Sequence, residues 1–129
     1  MKKMDKIVSK IAALGVPGLV FLFAVGATGL AGAASITTAL AALGPGGMIG
    51  GIATLGIMGL ISEAIAEYGF DAIFKAVVIE LYKRGEDPES LFIKIDKYPV
   101  SKGLKLKLKE KIKSLEKEQV KNQNNITQQ

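Results

Sequence analysis

The sequence predicts an all-α protein: a glycine-rich transmembrane helical hairpin, followed by amphipathic and basic helices on the cytoplasmic side. The first observation is that residues 11–62 form a run of fifty-two positions without a charged side chain, in a chain of 129 residues. The run contains 12 Gly and 11 Ala, which is typical of helices that pack closely in lipid. Because one crossing needs about 20 apolar residues, the run is long enough for two. After it, apolar side chains recur at helical spacing.

Residues 1–18 are predicted to be a basic amphipathic segment. A short helix over 5–14 has an apolar face of Ile7, Val8, Ile11 and Leu14, with Lys6 and Lys10 on another face. The Gly-Val-Pro-Gly sequence at 15–18 ends that helix. Pro17 then suits the first turn of a new one, because proline lacks the amide hydrogen that is unused at that position.

The hairpin is predicted over 19–66, with a first span at 19–43 and a second at 48–66. The Gly-Pro-Gly-Gly sequence at 44–47 is the strongest turn signal in the chain. In an alternative division, Gly26, Gly29 and Gly32 interrupt the first span and give three short segments. A second alternative is a secretory signal cleaved after the small residues at 31–33, although the uncharged run continues far beyond that point.

Residues 67–121 are predicted to form a helical tail. The first helix, 70–84, has an apolar stripe of Phe70, Ile73, Phe74, Val77, Val78 and Leu81. We expect Asp71–Lys75 and Glu80–Arg84 ion pairs on its outer face, since each pair is four residues apart. Gly85 ends this helix, Asp87 caps the next, and Ser101 caps a last helix from 102 to about 120. Residues 122–129 are polar and are expected to be disordered.

Small residues at four-residue spacing predict close helix packing and a homo-oligomer. On the second span they lie on two faces, which indicates two neighbours: the first span and a second subunit. The predicted packing residues are Gly46, Gly47, Gly50, Gly51, Gly56 and Gly59, with Gly29 and Ala33 on the first span. The alternative is that these glycines only reflect the usual composition of membrane helices.

The polar side chains of the hairpin are hydroxyls, and in an oligomer they would line a narrow wet path. These candidate pore-lining residues are Thr28, Ser35, Thr37, Thr38, Thr54 and Ser62. Alternatively, each hydroxyl bonds to a carbonyl of its own helix. Glu63 and Glu67, one turn apart where the second span meets water, are either an acidic rim that selects cations or a marker of the membrane boundary.

The last helix is strongly basic, with eight Lys against three Glu over 101–121. Lysines near an anionic leaflet contribute about 1 kcal/mol each, so we expect this helix to lie on a membrane of anionic lipids. The lysines assigned to this surface are Lys102, Lys105, Lys107, Lys109, Lys111 and Lys113. Nucleic acid is not expected as a partner, because no arginine-rich or aromatic set accompanies them. A solvated charged helix is the simpler alternative.

No pattern in the sequence predicts an enzyme, a cofactor or a metal site. The chain has no His and no Cys, so the commonest general base and the commonest metal ligands are missing. The Gly-Pro-Gly-Gly turn lacks the Lys-Ser/Thr ending of a phosphate-binding loop.

The Gly/Ala-rich segments at 26–35 and 46–53 resemble the hydrophobic domain of the interferon-inducible small glycine-rich membrane proteins. The layout of the chain, short and with two or three spans and a basic tail, is similar to that of small holins. Either resemblance implies membrane permeabilisation, or a membrane-linked death or defence response.

We therefore expect a small cell-membrane protein that oligomerises and permeabilises or perturbs the bilayer, with both termini cytoplasmic because both flanks carry Lys. A second hypothesis is a membrane-anchored interaction or regulatory protein, in which residues 70–121 dock a protein partner. A third is a soluble helical bundle with the hairpin as its core.

Overall fold

The described part of the protein is all-helical. The computed structural model describes the backbone of residues 2–41, 51–98 and 100–128, and the side chains of 3–29, 58–98 and 100–122. The helices are α1 (Lys2–Ala13), α2 (Val16–Ala41), α3 (Gly51–Tyr68), α4 (Phe70–Lys83), α5 (Pro88–Asp96) and α6 (Lys102–Gln128). The all-α prediction is confirmed for these residues, and the predicted turn at 44–47 lies outside them.

A sharp corner joins α1 to α2, and two glycines make it. Gly15 has φ +73°, a conformation that L side chains rarely adopt. At Gly18, an added Cβ would lie 2.2 Å from the carbonyl oxygen of Ile11, so only glycine allows this approach. The start of α2 at Val16, with Pro17 in its first turn, agrees with the sequence prediction.

Helix α2 is not one straight rod. Gly29 has φ 77° and ψ −177°, which is not helical, so the helix is broken at this residue. The expectation of an uninterrupted first span over 19–43 is therefore wrong at Gly29, which is one of the three glycines in the alternative division.

Within the residues that the structure describes, no single helix is both long enough and apolar enough to cross a membrane. One pair of helices, Lys3–Ala13 and Val16–Gly29, meets the requirement together by length and composition, with a bend of 116° between them.

Local signals set the boundaries of α4 and α5. Gly69, with φ +87°, separates α3 from α4. At the other end of α4, Gly85 has φ +103°, its amide donates to the Tyr82 carbonyl, and the Glu86 amide donates to the Leu81 carbonyl. This is the Schellman ending that a glycine at this position favours. The Asp87 carboxylate accepts from the Ser90 amide at 2.7 Å and caps α5, as predicted.

Helix α6 begins as predicted but ends later. The Ser101 hydroxyl accepts from the Leu104 amide at 3.1 Å, which is the expected cap. The helix runs to Gln128, whereas disorder was expected from 122 onward. After Gly103 the sequence has no glycine or proline, so nothing in it stops the helix.

Candidate functional site

The most apolar segment of the chain, Leu19–Val25, lies in the centre of the helical bundle. No residue of this segment is more than 8% exposed. Helix α2, to which it belongs, contacts each of the other five helices described above. This part of the predicted first span is therefore enclosed by protein, as the third hypothesis expects of the hairpin.

Three aromatic rings close the end of the enclosed segment. Phe23 of α2 lies 6.0 Å from Phe70 and 5.8 Å from Phe74 between ring centroids, and these two α4 rings lie 5.6 Å apart. An added Cβ at Gly26 would lie 2.6 Å from the Phe70 ring. Gly26 thus allows α4 to pack directly against α2, a contact that was not predicted from the sequence.

The enclosure ends at Gly26, because residues 26–29 are exposed. Gly29 was predicted to share a packing face with Ala33 on a continuous helix. Its non-helical φ and ψ contradict that prediction, since four-residue spacing places two residues on one face only in an unbroken helix. Gly29 forms a break in α2, and the side chain of Ala33 lies outside the described residues.

The remaining predicted packing glycines are only partly described. Gly46, Gly47 and Gly50 lie outside the described residues. Gly51 and Gly56 belong to α3. Gly59 is exposed, and no described atom lies within 4 Å of a Cβ built on it, so its face of α3 is open to a neighbour.

Two of the candidate pore-lining hydroxyls have described surroundings. The Thr28 hydroxyl donates to the Ala24 carbonyl at 2.7 Å, which is the bond to its own helix that the alternative reading expected. Ser62 Oγ is buried and has no hydrogen-bond partner among the described residues. The side chains of Ser35, Thr37, Thr38 and Thr54 lie outside the described part of the structure.

Glu63 and Glu67 both face the N-terminal helix. Lys3 of α1 lies 3.4 Å from the Glu63 carboxylate and 2.9 Å from that of Glu67. These contacts join α1 to α3 at the surface. All three side chains are more than 40% exposed, and such surface pairs contribute at most about 1 kcal/mol.

The basic residues of α6 differ in their contacts. Lys111 forms an ion pair with Asp71, and its Nζ lies 5.6 Å from the centroid of the Phe70 ring. Lys113 lies 5.7 Å from the centroid of Phe92. The expected Asp71–Lys75 pair does not form: Lys75 instead contacts Glu118 at 3.6 Å. The expected Glu80–Arg84 pair is present at 3.2 Å.

The other surface lysines lie at the N-terminal end of α6. Lys105 donates to the Asp96 carbonyl oxygen at 2.8 Å, and Lys109 forms an ion pair with the Asp96 carboxylate. Lys102 and Lys107 are exposed, and neither has an ion pair among the described residues. The sequence groups these lysines by charge alone, since partners distant in sequence give no local signal.

Polar contacts also join α4, α5 and α6, the helices that follow the uncharged run. The Tyr82 hydroxyl of α4 donates to Glu116 of α6 at 3.3 Å, and burial together with that carboxylate raises the pKa of Tyr82. Hydrogen bonds from Lys94 and Ser90 lower the pKa of Glu86, which lies between α4 and α5. Within residues 3–29, 58–98 and 100–122, no group of three or more acidic side chains is arranged to hold a metal ion.

Comparison with protein-family models, with curated proteins and with solved structures returned no match for this chain.

Proposed function

We propose that this chain is a small membrane-inserting protein that oligomerises through its glycine-rich helices and permeabilises or perturbs the bilayer, as a pore-forming, holin-like or defence effector. The observation that carries the proposal is that the uncharged run of residues 11–62 is far longer than the enclosed segment Leu19–Val25 and is rich in glycine and alanine. The side chains of such a run are stable only inside protein or inside lipid, because exposing apolar side chains to water is unfavourable. Its partners are the lipid bilayer, anionic lipids and further copies of the chain, and it requires no cofactor and no catalytic step.

The enclosed form supports a triggered mode of action. Leu19–Val25 is covered by helices that carry most of the charge of the chain, which suits a form that stays folded before it meets a membrane. On insertion, α1 and the first part of α2 would straighten from their 116° bend into one span, with the charged end of α1 on the cytoplasmic side. The second predicted span, residues 48–66, would then complete the hairpin, and its glycines would pack against the same residues of another copy.

Membrane potential is the direct readout of this function. We expect a voltage-sensitive dye to report collapse of the potential in bacterial cells within minutes of induced expression. Replacing Gly47 and Gly51 with Leu removes the small-residue face, so this double variant should reach the membrane and leave the potential intact. If the double variant depolarises cells as the unchanged protein does, close packing at that face has no part in the activity.

A reversible cross-link tests whether the bundle must open. Because the chain has no Cys, Gly26→Cys with Phe70→Cys gives a unique thiol pair between α2 and α4, at positions where a Cβ on Gly26 would lie 2.6 Å from the Phe70 ring. On insertion, residue 26 would enter the span while residue 70 would stay outside it. Joined through both thiols by a bis-maleimide linker that contains a disulfide bond, the protein should not release dye from vesicles, and reduction of the linker should restore release. Each single-cysteine variant, treated identically, is the control. Full release by the linked protein would contradict the opening step.

The anchored interaction protein is the second candidate. It is favoured by three large apolar side chains that are more than half exposed on α5 and α6, which are Ile93, Leu106 and Val120. It predicts an unchanged membrane potential with abundant membrane-bound protein. It also predicts a cross-linked partner that is lost when Ile93 and Leu106 are changed to Ser, whereas the pore requires neither result.

A further inference from the structure

The groove between α5 and α6 has a chemistry that the proposed pore does not use. It has a volume of about 500 Å³ and is lined by Asp96 of α5 and by Lys102, Lys105, Leu106 and Lys109 of α6. Three lysines against one aspartate leave a formal surplus of two positive charges in the groove. A surplus of this sign around an open cavity favours an anionic ligand.

Part of this positive charge is already paired within the protein, by Asp96. Lys109 forms an ion pair with the Asp96 carboxylate, and Lys105 donates to the main-chain oxygen of the same residue. Asp96 is the last residue of α5, where the helix dipole disfavours negative charge. An incoming anion of higher charge would therefore compete well for Lys109.

Lys102 can bind a ligand without breaking an ion pair to any described residue. It is exposed and has no ion pair within the described ranges of the chain. It lies at the first residue of α6, whose N-terminal amides add partial positive charge. The next residue, Gly103, has no described atom within 4 Å of its Cβ position, so an anion can approach the backbone there.

We propose that this groove binds a phosphate group, with Lys102, Lys105 and Lys109 as its ligands and the Asp96 carboxylate as the group that it displaces. The phosphate can belong to a lipid headgroup or to a free phosphate compound. Leu106 lines the groove and is 59% exposed, so it offers an apolar contact that a lipid can use and inorganic phosphate cannot. The lipid form rests on the proposed function, whereas the phosphate site itself does not.

Titration of the full-length protein with inorganic phosphate, followed by amide chemical shifts, tests the site. The matched variants are Lys102→Gln and Lys107→Gln, since both remove one exposed, unpaired α6 lysine among the described residues and only Lys102 lines the groove. Lys102→Gln should weaken binding about fivefold or more, while Lys107→Gln changes it less than about twofold. Asp96→Asn should tighten binding, because it removes the competing charge.

Vesicle co-sedimentation separates the two sources of phosphate. The probes are phosphatidylcholine vesicles with and without phosphatidylglycerol, and the same two lysine variants are compared after circular dichroism has shown that they are folded. Loss of binding to the anionic vesicles with Lys102→Gln but not with Lys107→Gln supports the lipid headgroup. Selective binding of inorganic phosphate with equal vesicle binding by both variants supports a free phosphate ligand.

If phosphate moves no amide of the groove and both variants weaken vesicle binding equally, the lysines act as diffuse charge and the proposal is overturned. Dye release from the same vesicles measures the proposed pore separately, so failure of the phosphate site and failure of the pore can be distinguished. Dye release without a selective effect of Lys102 would overturn the groove alone. Selective phosphate binding without dye release would support the groove and count against the pore.

Discussion

Two neighbouring parts of the uncharged run, Leu19–Val25 and residues 26–29, have different surroundings although neither contains a charge. Every side chain of Leu19–Val25 is buried among helices, whereas the residues 26–29 that follow directly are exposed. Side-chain volume accounts for the difference. Large side chains fill the space between α2 and its neighbours, while glycine and alanine leave a shallow surface that suits close helix contact. Lack of charge alone therefore does not distinguish a protein core from a membrane-facing surface.

Two matched leucine-to-alanine substitutions, one in the enclosed segment and one near an exposed glycine of α3, should give the largest difference in the free energy of unfolding. Leu22, in the enclosed segment, is fully buried, and Leu60, near the open face of α3, is only partly buried. Leu22→Ala should lower the free energy of unfolding by about 3 kcal/mol, because it leaves a cavity. Leu60→Ala should cost about 1 kcal/mol or less, in proportion to the smaller buried area. Urea unfolding followed by circular dichroism measures both, and equal costs would contradict the enclosed position of Leu22.

Gly26 lies at the boundary between the two parts and gives the next largest effect. A methyl group there would overlap the Phe70 ring, so Gly26→Ala should destabilise the protein by about 2 kcal/mol. Phe70→Ala removes the ring that the methyl group would meet. In a double-mutant cycle, the second substitution should therefore cancel most of the cost of Gly26→Ala. Additive costs in that cycle would show that the two residues do not touch.

Two exposed glycines should respond to the same substitution with opposite signs. Gly29→Ala forces a side chain into backbone angles that are nearly exclusive to glycine, at a cost of about 1–2 kcal/mol. Gly59→Ala places the same side chain in a regular helix with open space around it, which should stabilise the protein by about 0.5–1 kcal/mol. Thermal unfolding of the two variants under identical conditions measures the difference, and a stabilised Gly29→Ala protein would mean that the break in α2 is not required.

Local signals in the sequence predicted much of the fold. The caps of α5 and α6, the glycine ending of α4 and the proline start of α2 were predictable because each depends on neighbouring residues only. The face of Ile73, Phe74 and Val77 was predictable from helical spacing, and these residues are buried.

The contacts of the α6 lysines and of the enclosed segment were harder to predict, because they join residues that are far apart in sequence. Lys111 pairs with Asp71 across two helices, where sequence spacing favoured Lys75. Likewise, hydropathy did not place Leu19–Val25 in the bundle, since a core helix and a membrane helix have the same composition.

The polar bonds between the helices that surround Leu19–Val25 should contribute least to the free energy of unfolding. A substitution of Glu86 tests one set of these bonds. Lys94 and Ser90 donate to its carboxylate and join the start of α5 to the rest of that helix, which contacts α2. Their hydrogen bonds lower the pKa of Glu86. Its contribution is therefore complete above the unfolded-state value of about 4.3 and is lost as the pH falls through the lower folded-state pKa.

We accordingly expect Glu86→Gln to reduce the free energy of unfolding by about 0.5–1 kcal/mol at neutral pH, since the group lies near solvent. The difference from the unchanged protein should shrink below about pH 4.3, where the unfolded chain begins to hold the proton. Urea unfolding at several pH values measures it. Ser90→Ala removes one donor and keeps the carboxylate, so its smaller cost should follow the same pH dependence. A cost of Glu86→Gln that equals that of Leu22→Ala would mean that the charged helices are held by polar bonds as strongly as by the apolar core.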